Sequence, residues 1–182
     1  MIAKILLVLA VLLVALLIVA ALQPAEYHVT RSITINAPAA VPYQYVNDLH
    51  KWQEISPYVK VDPAAKYEFD GPPAGPGASL AWAGNAQVGT GKMTITEARP
   101  DQLVALRLDF QKPFAAVCAT QFTFEPAGSQ TRVTWSMDGQ KVFITKIVGL
   151  FMSMDKMIGP QFEEGLAKMK ALSESVAPVA LR

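Results

Sequence analysis

The sequence predicts an α+β fold: an antiparallel sheet of about seven strands against one long C-terminal helix, preceded by a single N-terminal transmembrane helix. Three observations predict it. Residues 5–22 are an unbroken run of 18 apolar residues. The middle of the chain is a series of short alternating apolar and polar stretches separated by turn signals. From 147 onward the apolar residues shift to a spacing of three to four, the period of an amphipathic helix.

At about 1.5 Å per residue, the 5–22 run makes a helix of roughly 27 Å, close to the hydrocarbon core of about 30 Å. A cleavable signal peptide is the alternative. Its apolar core of about 7–15 residues is shorter, and Gln23-Pro24 makes a poor start for a mature chain, although Val19-Ala20-Ala21 has the small residues of a cleavage site. Length favours an uncleaved anchor, and no cysteine follows to carry a lipid. Lys4 precedes the run and Arg31 is the nearest basic residue after it. The positive-inside rule then places the N-terminus in the cytoplasm and exports the domain. Residues 1–22 are thus read as anchor, 23–26 as a linker reaching at most about 14 Å, 27–175 as one domain, and 176–182 as a tail.

In 27–36, Val29, Ile33 and Ile35 share one face with Arg31, opposite Thr30, Ser32 and Thr34; this is a half-buried strand with an unexplained arginine on its apolar side. Ala37-Pro38 ends it. Residues 39–49 read as a short helix with Pro42 in its first turn, and 50–58 as a second, stopped by Pro57. Strands follow at 66–69, 79–83, 87–98, 103–110, 116–125 and 131–138, with Gly84-Asn85, Pro100-Asp101 and Gly128-Ser129 as turns. Consecutive alternating strands joined this way form an antiparallel meander. Gly89 and Gly91 share the face of Met93 and Ile95, where missing side chains leave room for a guest or mark a bulge. In the C-terminal helix, Ile147, Phe151, Met154, Ile158, Phe162, Met169 and Leu172 make the apolar stripe, and Gly159-Pro160 is expected to kink or restart it.

Certain stretches carry a resemblance: Arg31-Ser32-Ile33 with Ile35-Asn36-Ala37-Pro38, Val46-Asn47-Asp48 leading to Trp52 and Ser56-Pro57, Thr131-Arg132-Val133-Thr134-Trp135, and the segment GLFMSMDKMIGPQFEEGLAKMK. With the order of elements, they resemble the polyketide cyclase/dehydrase-like branch of the START-like (SRPBCC, helix-grip) superfamily over residues 27–175. The resemblance implies a curved sheet gripping the C-terminal helix, with a hydrophobic cavity between them. It also implies a role among lipid carriers, hormone-binding proteins and aromatase/cyclases, without naming a substrate.

Composition excludes several classes. Outside residues 1–22 the chain carries 15 basic and 15 acidic residues, so it offers no electrostatic footprint for nucleic acid. Cys118 is the only cysteine, and His28 and His50 are the only histidines, so no disulfide or metal cage is expected. No phosphate loop or dinucleotide fingerprint is present, and no cofactor is expected. Charged residues are 17%, against about 25% on average.

The inward strand positions exceed what one helix can cover, which argues for a pocket. Its expected lining is Met93, Ile95, Leu106, Phe110, Phe122, Phe124 and Trp135 from the sheet, with Phe151, Met154, Met157 and Ile158 from the helix. Plain core packing is the alternative for each of them. No catalytic constellation emerges. Glu97, on the parity of Met93 and Ile95, is the lone acid candidate, and no serine or threonine has a histidine to activate it. The sequence therefore points to a membrane-anchored domain holding a hydrophobic small molecule or lipid. A cyclase or dehydratase using the same cavity and a non-catalytic envelope adaptor are the alternatives.

Overall fold

The computed structural model describes residues 1–176; the expected tail from 177 onward lies outside the described residues. Helix α1 (Ile2–Leu22) is one continuous apolar helix, long enough at 21 residues to cross a membrane. Strand β1 (Glu26–Ile35) follows, then the short helices α2 (Ala40–Asn47) and α3 (Leu49–Ile55). The Asp48 side chain caps α3 by accepting from the His50 N–H at 2.9 Å. Strands β2 (Lys66–Asp70), β3 (Ser79–Ala83), β4 (Thr90–Arg99), β5 (Leu103–Lys112), β6 (Ala116–Ala127) and β7 (Gln130–Gln140) come next. All pair antiparallel, in the order β1-β7-β6-β5-β4-β3-β2, as one curved sheet.

The alternation in the sequence is the burial pattern of the sheet. Along β6, Cys118, Thr120, Phe122 and Phe124 are buried while their neighbours face solvent. Pairing aligns these inner residues into rows, one of which runs Arg31, Trp135, Phe122, Val104 across β1, β7, β6 and β5.

The C-terminal helix differs from expectation. It is two helices, α4 (Phe143–Val148) and α5 (Met154–Val176), separated by a bend at 149–153. Pro160 lies inside α5 and does not restart it. The break falls at Ser153, whose hydroxyl accepts from the Lys156 N–H at 3.3 Å, and Asp155 places a negative charge in the first turn.

Helix α5 lies over β1 and β7, and two glycines set its approach. Gly159 sits directly on the Arg31 guanidinium, and a Cβ at Gly165 would stand 2.9 Å from the Trp135 ring. Between them, Phe162 stacks on Trp135 with ring centroids 3.9 Å apart. The arginine on the apolar face is thereby explained. Its Nε donates to Glu163 at 2.6 Å and its two terminal nitrogens to Asp155 at 2.7 and 3.0 Å, so it pins α5 to the inner face of β1.

Candidate functional site

Because α5 covers the β1–β7 side, the concave face of β3 to β6 lies beyond its reach for most of its length. Helix α3 and the turn after it close that space in part, and a cavity of about 240 Å³ remains. Its sheet wall includes Tyr67, Leu80, Trp82, Met93, Leu106, Leu108 and Phe110. Trp52, Gln53, Ser56 and Tyr58 face it from α3 and the following turn, and Phe162 is the contribution of α5. The rim is formed by exposed Gln87, Lys112 and Pro113 at the strand ends.

The inner end is filled by the protein's own rings. Trp135 is stacked on Phe162, tilted against Phe122 at 4.7 Å, and met edge-on by Trp52 at 5.4 Å. Aromatic pairs in these geometries contribute about 0.5–1.5 kcal/mol each beyond burial. The Trp135 indole N–H donates to Thr120 Oγ1 at 2.9 Å, and that hydroxyl donates to the Ser136 carbonyl at 2.8 Å, so the buried polar atoms of this end are satisfied. At the outer end, Trp82 leans over Gly91 and meets Phe110 edge-on at 5.6 Å. The room left by Gly91 is thus taken by an indole. Gly89 has φ of +68° in the loop before β4, under the Lys112 carbonyl.

Among the expected lining residues, Met93, Leu106, Phe110, Phe122 and Trp135 come together around the cavity. Ile95 and Phe124 are buried in the core beside it. The helix-side candidates stand elsewhere. Met154 and Ile158 pack against the core from the N-terminal half of α5, Met157 is exposed, and Phe151 is 80% exposed in the bend. The break at 149–153 removes Phe151 from the helix, and the first turns of α5, which carry Met154, Met157 and Ile158, lie over β1, where Arg31 holds Asp155, and not over β3 to β6. Phe162, two turns into α5, takes that place.

Glu97 also departs from its expected face. A register shift between Ile95 and Glu97 leaves Thr96 unpaired and sets Glu97 opposite Ala105 on the outer side. Its side chain is 55% exposed and lies 3.1 Å from Arg99. His28 pairs with Asp138 at 2.7 Å on the outer face, and His50 stacks on Phe69 at 3.9 Å. None of the three lines the cavity.

The cavity has few polar groups. The Tyr67 hydroxyl is enclosed and without a hydrogen-bond partner, and burial raises its pKa. Tyr58 is 37% exposed, yet desolvation pushes its phenol up to about 12. Beside Met137, the Tyr27 hydroxyl lies 3.0 Å from Cys118 Sγ. Burial raises that thiol and keeps it protonated. Asp62 ties the wall together by accepting from the backbone N–H groups of Ala64 at 3.1 Å and Asn85 at 2.6 Å. Tyr67, Trp82 and Phe162 were not anticipated as lining residues, although Trp82 shares the parity of Leu80 and Phe162 extends the helical stripe.

Residues 26–174 match the family described as polyketide cyclase/dehydrase and lipid transport. The chain belongs to that family. Solved structures of the same fold include an aromatase/cyclase from a Streptomyces species, at 13% identity and TM-score 0.59, covering 86% of this chain and 98% of that one. A Chromobacterium violaceum protein matches at 14% identity and TM-score 0.59, covering 84% and 99%. The ginseng major latex-like protein from Panax ginseng matches at 11% and 0.55, covering 85% and 99%. At such identities the likeness is one of fold. Comparison with curated protein sequences gives no match. In this chain α3 and its turn, more than α5, form the wall opposite the sheet.

Proposed function

We propose that this family member is a membrane-tethered carrier or receptor, holding a hydrophobic small molecule or a single lipid chain in the cavity while α1 anchors it in the bilayer. The observation that carries the reading is the lining. About 240 Å³ is walled by Trp, Phe, Leu, Met and Tyr side chains, and no Asp, Glu, His or Cys stands among them. Apolar burial at about 25 cal/mol per Å2 supplies the affinity. The partnerless Tyr67 hydroxyl offers a hydrogen bond to one polar atom of the guest. The volume lies just under the range of about 300–1,000 Å³ typical of drug-sized pockets, which suits a slender or small guest. Acid–base chemistry of the cyclase kind requires a titratable group near neutrality at the guest, and the lining supplies only tyrosines and a rim lysine. Lys4 before α1, with Arg31 the first basic residue after it, supports a cytoplasmic N-terminus and an exported domain.

Native mass spectrometry of the full chain, loaded from a total lipid extract and released from detergent, tests the reading. Wild type is expected to keep an adduct that Leu108→Trp, which fills the cavity, loses. Equal adducts on both proteins, or none on wild type, overturn it. Protease accessibility in sealed vesicles tests the orientation.

A further inference from the structure

We propose that the sheet edge carrying the cavity rim, with α4 and the bend after it, seats in the interfacial layer of a lipid bilayer, so that the cavity is filled from the membrane. This rests on the reading of α1 as an anchor.

Topology places the parts on one edge. Helix α1 ends at Leu22 and β1 begins at Glu26, so three residues spanning at most about 11 Å separate them. Glu26 pairs with Gln140, Cys118 with Gly139, Phe110 with Ala116, and Thr90 with Lys112. The start of β1, the end of β7, the β5–β6 loop and the rim residues Lys112 and Pro113 therefore share the end of the sheet that α1 enters. Helix α4 continues from it. Lys146 Nζ donates to the Ala21 carbonyl at 3.5 Å, and a Cβ at Gly149 would stand 3.1 Å from the Gln23 side chain, so α4 lies against the last turn of α1.

The surface chemistry of this edge matches an interface. Phe114 is 49% exposed and Phe143 52%, and Ile144, Val148, Phe151 and Met152 are exposed with them. Single exposed apolar residues are ordinary, but a contiguous group marks a contact surface. Segments 110–117 and 140–154 contain Lys112, Lys141 and Lys146 and no aspartate or glutamate. Aromatic and aliphatic residues interspersed with lysines are what the boundary of an anionic leaflet accepts, and exposed Glu26 at the start of β1 is the acid beside them. The patch is continuous with α1, the one helix long and apolar enough to span the bilayer among the described residues. These two facts favour lipid over a second protein.

Spin labelling tests this on the full chain in vesicles of phosphatidylcholine and phosphatidylglycerol. Cys118 is buried and stays in place, with unlabelled wild type as the control. Nitroxides are attached at Leu12→Cys in α1, Phe151→Cys in the bend, and Ser129→Cys in the β6–β7 turn at the opposite end of the sheet. Collision with oxygen, which concentrates in lipid, is compared with collision with a water-soluble nickel chelate. The oxygen-to-nickel ratio is expected to be several-fold higher at 12 and 151 than at 129. A lipid-facing label at 12 with a water-facing label at 151 overturns the docking and leaves the anchor standing. A label at 151 shielded from both reagents shows a protein cover and also overturns it. Water-facing labels at both 12 and 151 overturn the anchor and the docking together.

Discussion

The Arg31 guanidinium lies directly on Gly159, so the helix that covers the sheet rests on a charged side chain at a position where it has none of its own. Glycine inside a helix costs about 1 kcal/mol relative to alanine, and that cost is met here because any Cβ would collide with an arginine already held by Asp155 and Glu163.

Gly159→Ala is therefore expected to destabilise the chain by about 1–3 kcal/mol, the cost of forcing atoms into a packed site. In an Arg31→Ala background the same substitution is expected to stabilise by about 1 kcal/mol, following helix propensity. Urea unfolding of the full chain in detergent, followed by near-ultraviolet circular dichroism, reads both. The same sign in the two backgrounds would show that Arg31 does not set the approach of α5.

The attachment of α5 also sets a response to acid. Arg31 holds the Asp155 carboxyl below the usual carboxylate range, and Lys170 with the Asn36 N–H does the same for Glu174. A carboxylate lowered in the folded state contributes stability that is complete above its unfolded pKa of about 4 and is lost as pH falls through the folded value. Hydrogen exchange in α5 is expected to rise below about pH 4, before exchange in β5 and β6. The tyrosines run the other way. All five are raised, chiefly by burial, and Tyr58 reaches about 12. A raised phenol contributes stability below its unfolded pKa of about 10 and loses it as pH rises through the folded value. Phenolate absorbance is therefore expected to appear well above pH 10. A titration centred at 10 in a chain that keeps its tertiary dichroism would contradict the burial of these rings.

The strands were legible because period-two alternation is the same pattern as one-sided burial, as Cys118, Thr120, Phe122 and Phe124 show along β6. Arg31 was legible as an inward residue, and its partners were not, since Asp155 and Glu163 lie more than 120 positions away in sequence. Glu97 was misplaced because parity counts residues, and a single unpaired Thr96 reverses it. Phe151 stands outside the cavity because an apolar stripe of helical spacing does not reveal a break, and Met154, Met157 and Ile158 do so because the stripe does not say which strands the helix will cross, here β1 through Arg31. Only the Ser153 hydroxyl reaching the Lys156 N–H marks where one helix ends and another begins. Tyr67 and Trp82 belong to two of the shortest strands, where too few residues alternate to declare an inner face.

At the outer end of the cavity, Gly91 is required by Trp82. A Cβ there would stand 2.5 and 2.7 Å from two ring carbons of the indole and 2.8 Å from the Asp109 carbonyl oxygen. Gly91→Ala is expected to push Trp82 off the strand and into the cavity, destabilising by about 1–3 kcal/mol. Loss of the lipid adduct in native mass spectrometry should accompany it. An unchanged adduct would mean that the Trp82 side of the space is not where the guest sits.

Thr120 tests the inner end. Its hydroxyl accepts from the Trp135 indole at 2.9 Å and donates to the Ser136 carbonyl at 2.8 Å, and all three groups are buried. Valine has the same shape as threonine without the hydroxyl. Thr120→Val therefore leaves packing intact while stranding one donor and one acceptor, each costing about 1–3 kcal/mol when buried without a partner. The expected loss is about 2–4 kcal/mol in urea unfolding, with a change in the tryptophan bands of the near-ultraviolet dichroism as Trp135 shifts against Phe162. Thr120→Ser keeps the hydroxyl and removes only a methyl group, so it should cost less and preserve those bands. If serine and valine destabilise equally, the methyl contact, and not the hydrogen-bonded chain, is what fixes the ring that closes the cavity.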